Sequence, residues 1–79
     1  MQMTDRLIAL FADELMLDAA DLNEDTNPDN TEQWDSLAAM RLVAAIEETF
    51  DTTLSTAEIM KMRSIGIVRK VLIAKGVAI

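Results

Sequence analysis

The chain of 79 residues has no cysteine and no histidine. The missing thiols exclude disulfide staples, thiolate nucleophiles and thiolate metal sites together, so stability has to come from helix packing, and a cytoplasmic setting fits. The missing imidazole removes the usual base of a hydrolytic serine. Aromatic residues are scarce, with Phe11, Trp34 and Phe50 the only three, so the expected core is aliphatic. Basic residues are outnumbered: seven Lys and Arg face fourteen Asp and Glu, a net charge of −7 that argues against nucleic acid and favours basic partners. The opening run "MQMTDRLIALFADEL" carries Asp5, Asp13 and Glu14 inside its apolar pattern. Neither a signal peptide nor a membrane-spanning stretch is expected there. A chain this short is expected to form one small monomeric domain, with room for a narrow cleft but hardly for a deep, water-excluding enzyme site.

What is present reads as helix. Apolar residues at Leu7, Ile8, Phe11 and Leu15, after Thr4 as a possible cap, predict a first helix running to about Met16. Residues 17–34, "LDAADLNEDTNPDNTEQW", are rich in Asp, Asn and Thr and hold the only proline, so they predict a long ordered loop. Asp35 is placed to cap a second helix over about 36–51, with Leu37, Met40, Val43, Ile46 and Phe50 at three- and four-residue spacing. "STAE", Ser55 to Glu58, has the spacing of a capping box and opens a short third helix through about Met62. Ser64 can cap a last helix with an inner stripe of Ile65, Val68 and Leu72, and Gly76 is its stop. The expected fold is all-α, a small four-helix bundle with a long loop between helices one and two and a short helix three. Charge is uneven: residues 1–40 hold ten acids and one base, residues 41–79 four acids and six bases. Such asymmetry steers docking or simply keeps the chain soluble.

Ser36 stands out. With no histidine, and Lys61 in a different predicted helix, it lacks a base that would make it a nucleophile of its own. Two readings remain. Asp35 and Ser36 are plain capping residues, or Ser36 is acted upon, since the first turn of a helix tolerates a phosphate ester beside its unpaired N–H groups.

The run Asp35, Ser36, Leu37 followed by "LVAAIEETFDTTLSTAEI" from Leu42 to Ile59, and then by the Ile65-x-x-Val68 opening of a final helix, resembles the acyl carrier proteins. The likeness is loose over residues 1–30 and close from Trp34 to about Leu72. It implies that Ser36, flanked by Asp35 and Leu37, carries a 4′-phosphopantetheine arm placed there by a separate phosphopantetheinyl transferase from coenzyme A with magnesium. The arm's thiol would then hold acyl groups as thioesters, so the chain would not be an enzyme. Its partners would be acyl-activating, acyltransferase or synthase enzymes with basic docking patches. The resemblance also implies that Val43, Ile46, Leu54, Ile59 and Met62 line an acyl pocket, although plain core is the simpler role for each. Glu47, Glu48 and Asp51 fall on the docking surface such carriers present, although glutamates on an exposed face need no partner.

Two departures set this chain apart from the fatty-acid-synthesis pattern. Ala38 and Arg41 stand where acids are usual, and Trp34 follows Gln33 where glycine and a small residue are common. They suggest a specialised stand-alone carrier for a fatty-acid, polyketide or lipid pathway. The indole of Trp34 either contacts cargo or partner, or fixes the long loop to the bundle. An aminoacyl or peptidyl carrier is the alternative within the class, and a plain helical interaction module lies outside it. A further rival is an EF-hand. Asp21, Asn23, Asp25, Asn27, Asp29 and Glu32 occupy positions 1, 3, 5, 7, 9 and 12 of a calcium loop, but Thr26 stands where that loop needs glycine. Weak divalent binding at Asp21, Asp25 and Asp29 is the milder form of that reading.

Overall fold

The α-helix starts in this chain are written as side-chain acceptors, and each of the four described α-helices uses its own. The computed structural model describes residues 5–78. Among them are four α-helices: α1 (Arg6–Leu15), α2 (Ser36–Thr49), α3 (Thr56–Lys61) and α4 (Ile65–Ala74). The α1–α2 loop contains a short 3-10 turn at Ala19–Asp21, and there is no strand among the described residues. None of these helices is long and apolar enough to cross a membrane. Asp5 caps α1, its carboxylate accepting from the Leu7 and Ile8 N–H groups at 3.0 and 3.2 Å. Thr4, the expected cap, lies outside the described residues. Ser55 and Glu58 form the full capping box at α3, and Ser64 accepts from Ile67 N–H at α4.

The helix ends are equally local. At α4 the N–H of Gly76 donates to Ile73 and that of Val77 to Leu72, with Gly76 at φ +84. This is the Schellman arrangement, and Val77 packs back on the core as the motif requires. The end of α1 repeats the pattern with Met16 in the left-handed position at φ 57. Helix α2 stops at Thr49, two residues short of the expected end, because Asp51 turns left-handed at φ 49.

The core is aliphatic around one aromatic pair. Leu7, Leu10, Phe11 and Leu15 of α1 face Ala38, Leu42 and Ile46 of α2 and Ile65, Val68 and Leu72 of α4. Leu37 and Met40 of the expected α2 stripe are exposed instead, and Ala38 and Leu42 take their place. The reason is that α2 is apolar nearly all round in its first two turns, so spacing alone does not choose its inner face. Arg6 ties α1 to the far end of α2, its guanidinium lying 4.8 Å from the Phe50 ring centroid and donating to the Thr49 carbonyl at 3.4 Å.

The long loop is built into the bundle. Thr26 is buried, its hydroxyl accepting from Asn23 N–H, and Leu22 joins the core. Its backbone caps α4: Ile65 N–H donates to the Thr26 carbonyl at 3.0 Å and Gly66 N–H to the Glu24 carbonyl at 2.9 Å. Two otherwise orphaned donors of the helix start are thereby satisfied. Arg69 completes the bracket, donating to Asp5 at 2.7 Å and to both oxygens of Glu24 at 2.8 and 2.9 Å. For Asp5, burial raises the carboxyl pKa, but the Arg69 and backbone N–H bonds outweigh it and the net shift is downward. Glu24 is held down chiefly by its hydrogen bonds from Arg69.

Candidate functional site

The loop delivers the chain to Trp34, whose indole is buried and meets Phe11 of α1 with ring centroids 5.1 Å apart and planes tilted by 58°. Trp34 thus fixes the end of the loop to the bundle, the second of the roles open to it on sequence. Asp35 follows in extended conformation and caps α2, its Oδ1 accepting from Ala38 N–H at 2.8 Å. Because Asp35 does this, Ser36 at the first helical position does not have to.

The chain has three serines. Ser55 and Ser64 each accept a backbone N–H at 3.1 Å and are helix caps. Ser36 is exposed, and no hydrogen bond engages its hydroxyl among the described residues. The N–H groups of Ser36 and Leu37 likewise meet no acceptor there, as expected of the first turn of a helix. An exposed hydroxyl beside two open donors and the positive end of a helix suits an anionic ester.

Next to it lies a wide-mouthed cleft of about 480 Å³. Trp34, Asp35, Ser36 and Ala39 form one wall, Ile59, Met60, Met62 and Arg63 the other, and Pro28 the edge. A volume of this size is in the range of sites that hold small molecules, about 300–1,000 Å³. These residues suit a flexible arm on Ser36, with a reachable hydroxyl, donors for its anion, and an apolar trough that begins beside it.

The residues expected to line an acyl pocket divide. Ile59 and Met62 are on the cleft wall. Ile46 and Leu54 are buried in the core and Val43 packs partly buried against it, none of them on that wall. Leu54 is placed by Glu47, whose carboxylate accepts the Leu54 N–H at 2.8 Å and so fastens the α2–α3 connection. Glu47 therefore has a structural role that the sequence did not reveal. Glu48, Asp51 and Arg41 are exposed. Pro28, Ala39 and Arg63 were not foreseen at the cleft. Neither Arg63 nor Pro28 carried a spacing signal, since Arg63 follows the end of α3 at Lys61 and Pro28 reaches the cleft by the course of the loop.

The acidic loop is organised by its asparagines. Asn23 accepts from Asp25 N–H, and Asn27 accepts from Asp29 and Asn30 N–H. Oxygens at two EF-hand ligand positions are thus turned onto the loop's own backbone. Thr26 does not have the positive φ that the sixth position of that loop needs, and no group of three or more acidic side chains gathers as a metal site among the described residues. This is not the EF-hand turn.

No curated protein gives a significant match to the chain. A family model described as "phosphopantetheine attachment site" does match, over residues 5–68, and so spans α1, the loop, the Ser36 turn and the start of α4. A model that covers most of the chain and encloses the one serine left out of helix capping settles the family, and the chain belongs to the phosphopantetheine attachment family, whose covalent group is 4′-phosphopantetheine.

Proposed function

We propose that Ser36 is the residue that bears the arm and that the chain is a discrete carrier of acyl thioesters in a specialised fatty-acid, polyketide or lipid pathway of the cytoplasm. The observation that carries this is the division among the serines: two are fastened as caps, while Ser36 keeps an exposed, unengaged hydroxyl at the mouth of an apolar cleft. When attached, the arm supplies a terminal thiol that holds acyl groups as thioesters.

The chain's own residues do the rest. Asp35 fixes where α2 begins and so where the hydroxyl points. The Ser36 and Leu37 N–H groups and the helix N-terminus offset the negative charge of a phosphodiester. Trp34, Ala39, Ile59, Met60 and Met62 give an acyl chain an apolar bed, where each buried methylene contributes roughly 0.8 kcal/mol. Methionines suit a bed that must accept more than one shape. Among the described residues lining the cleft, Asp35 is the only carboxylate and its Oδ1 serves as the cap of α2, while Arg63 is a cation. Removal of the serine proton thus belongs to the phosphopantetheinyl transferase, and thioester chemistry to acyl-handling enzymes. This fits a family of carriers rather than catalysts.

The test is intact mass after incubation with coenzyme A, magnesium and a broad-specificity phosphopantetheinyl transferase. A gain of one phosphopantetheine in the parent and none in Ser36→Ala is the expected result. Gain in neither, or equal gain in both, would refute the assignment.

A further inference from the structure

The protein is acidic as a whole, yet the exposed stripe of α2 that follows Ser36 is not. Along the exposed stripe of α2 the residues after Ser36 are Leu37, Met40, Arg41 and Ala44, and the first acid is Glu48. At 1.5 Å rise per residue that acid lies about 18 Å from the serine. Leu37 is 63% exposed and Met40 71% exposed, and across the cleft on α3 Met60 is 73% exposed with Ile59 beside it. These are four of the seven large apolar side chains that the described surface leaves open.

The cations show the same bias. Arg69 and Lys75 are in ion pairs and Arg6 lies on Phe50. Of the remaining four, none of which has an ion pair among the described residues, Lys70 lies on α4, while Arg41 follows Met40 on the exposed stripe of α2, Lys61 ends α3 and Arg63 lines the cleft. Among the acids near them, Asp35 caps α2, Glu58 is bound to Ser55 N–H and Lys75, and Glu14 and Glu48 line a depression with Arg41 without forming an ion pair with it. Glu32, in the loop, is exposed. Apolar side chains clustered on a surface, rimmed by polar ones, mark an interaction site.

We propose that the enzymes reacting at Ser36 dock by burying Leu37, Met40 and Met60 in an apolar hollow whose rim presents carboxylates to Arg41, Lys61 and Arg63. The inference rests on Ser36 as the attachment residue. Any enzyme that reaches that hydroxyl must cover this face, so the transferase is itself such a partner. The expected basic partner surface fits Glu48 and Asp51, but these lie away from the reacting atom. Apolar burial supplies the affinity and the cationic rim sets orientation and sign.

The experiment measures kcat and KM for modification of the full chain by a purified phosphopantetheinyl transferase with coenzyme A. Met40→Ser, Met60→Ser and Arg41→Glu are compared with Ile73→Ser, a control exposed on α4 away from the cleft, and circular dichroism verifies that each is folded. The expected result is a KM raised about tenfold or more in the first three with kcat little changed, and no change in the control. A KM lowered by Arg41→Glu would show that the partner face is basic and would overturn the proposal. So would unchanged KM in both methionine variants. Concentration-dependent self-association of the parent that Met40→Ser abolishes would assign the face to a second copy of the chain instead. If the parent gains no mass, or Ser36→Ala gains it equally, the Ser36 reading fails and this inference with it. Mass gain confined to Ser36 with unaltered KM values removes the docking inference alone.

Discussion

Trp34 joins the loop, the core and the cleft, so its removal tests the architecture at its junction. The side chain is 5% exposed and pairs with Phe11 at 5.1 Å. Burying about 200 Å² of indole at about 25 cal/mol per Å² gives an upper figure of about 5 kcal/mol, and large-to-small core substitutions of this kind cost about 3–5 kcal/mol. A chain of 79 residues is stable by about 4–12 kcal/mol. Trp34→Ala is therefore expected to bring the protein near its unfolding threshold. The tilted ring pair is tested separately by a double-mutant cycle of Trp34→Leu and Phe11→Leu, with a coupling of about 0.5–1.5 kcal/mol expected. Urea unfolding followed by far-ultraviolet circular dichroism is the assay, because the substitution removes the only tryptophan and with it the fluorescence signal. A cost below about 1 kcal/mol for Trp34→Ala would refute the reasoning, since a side chain so cheaply lost is not part of a close-packed core.

Gly66→Ala sets two effects against each other. Helix propensity favours alanine by about 1 kcal/mol, but the new methyl would lie 3.0 Å from the Glu24 carbonyl oxygen and 3.3 Å from its Cβ, where the loop backbone caps α4. The clash is expected to prevail, with a net loss of about 1 kcal/mol in urea unfolding, and a gain in stability would contradict the described loop. Met16→Gly has the opposite sign. Met16 is 90% exposed and left-handed, so glycine relieves backbone strain at little packing cost and is expected to stabilise by about 0.5–1 kcal/mol in thermal unfolding, whereas a loss would refute the strain. Arg69→Gln tests the charge bracket. Asp5 and Glu24 titrate lower in the folded state than in the unfolded one, so the stability they contribute is present in full above their unfolded pKa values and is lost as pH falls through the folded ones. The gap between parent and variant is expected at about 0.5–1 kcal/mol near neutrality, reduced because both carboxylates are partly exposed, and should close below about pH 4. A gap that persists at about pH 2 would mean that the packing of the arginine stem, not its charge, is what matters.

Short-range chemistry was legible in the amino-acid order. Caps at Asp35, Ser55 with Glu58, and Ser64, and the stop at Gly76, each involve groups within a few residues of one another. The inner stripe of α4 and the placement of Ser36 in the first turn of α2 belong to the same class. Three features were decided only by the tertiary structure. The inner face of α2 was ambiguous because Leu37, Ala38, Ala39, Met40, Leu42 and Val43 are all apolar, and packing on α1 and α4 selected Ala38 and Leu42. The path of the loop was invisible because it rests on Thr26 and Glu24 carbonyls meeting α4 some forty residues later, and backbone acceptors leave no trace in residue identity. The cleft walls were only half foreseen because they join a loop to a helix far along the chain. Hydrogen bonds that span three or four residues are encoded where they form. Contacts across the fold depend on how every segment closes upon the others, and here they decided which face surrounds Ser36.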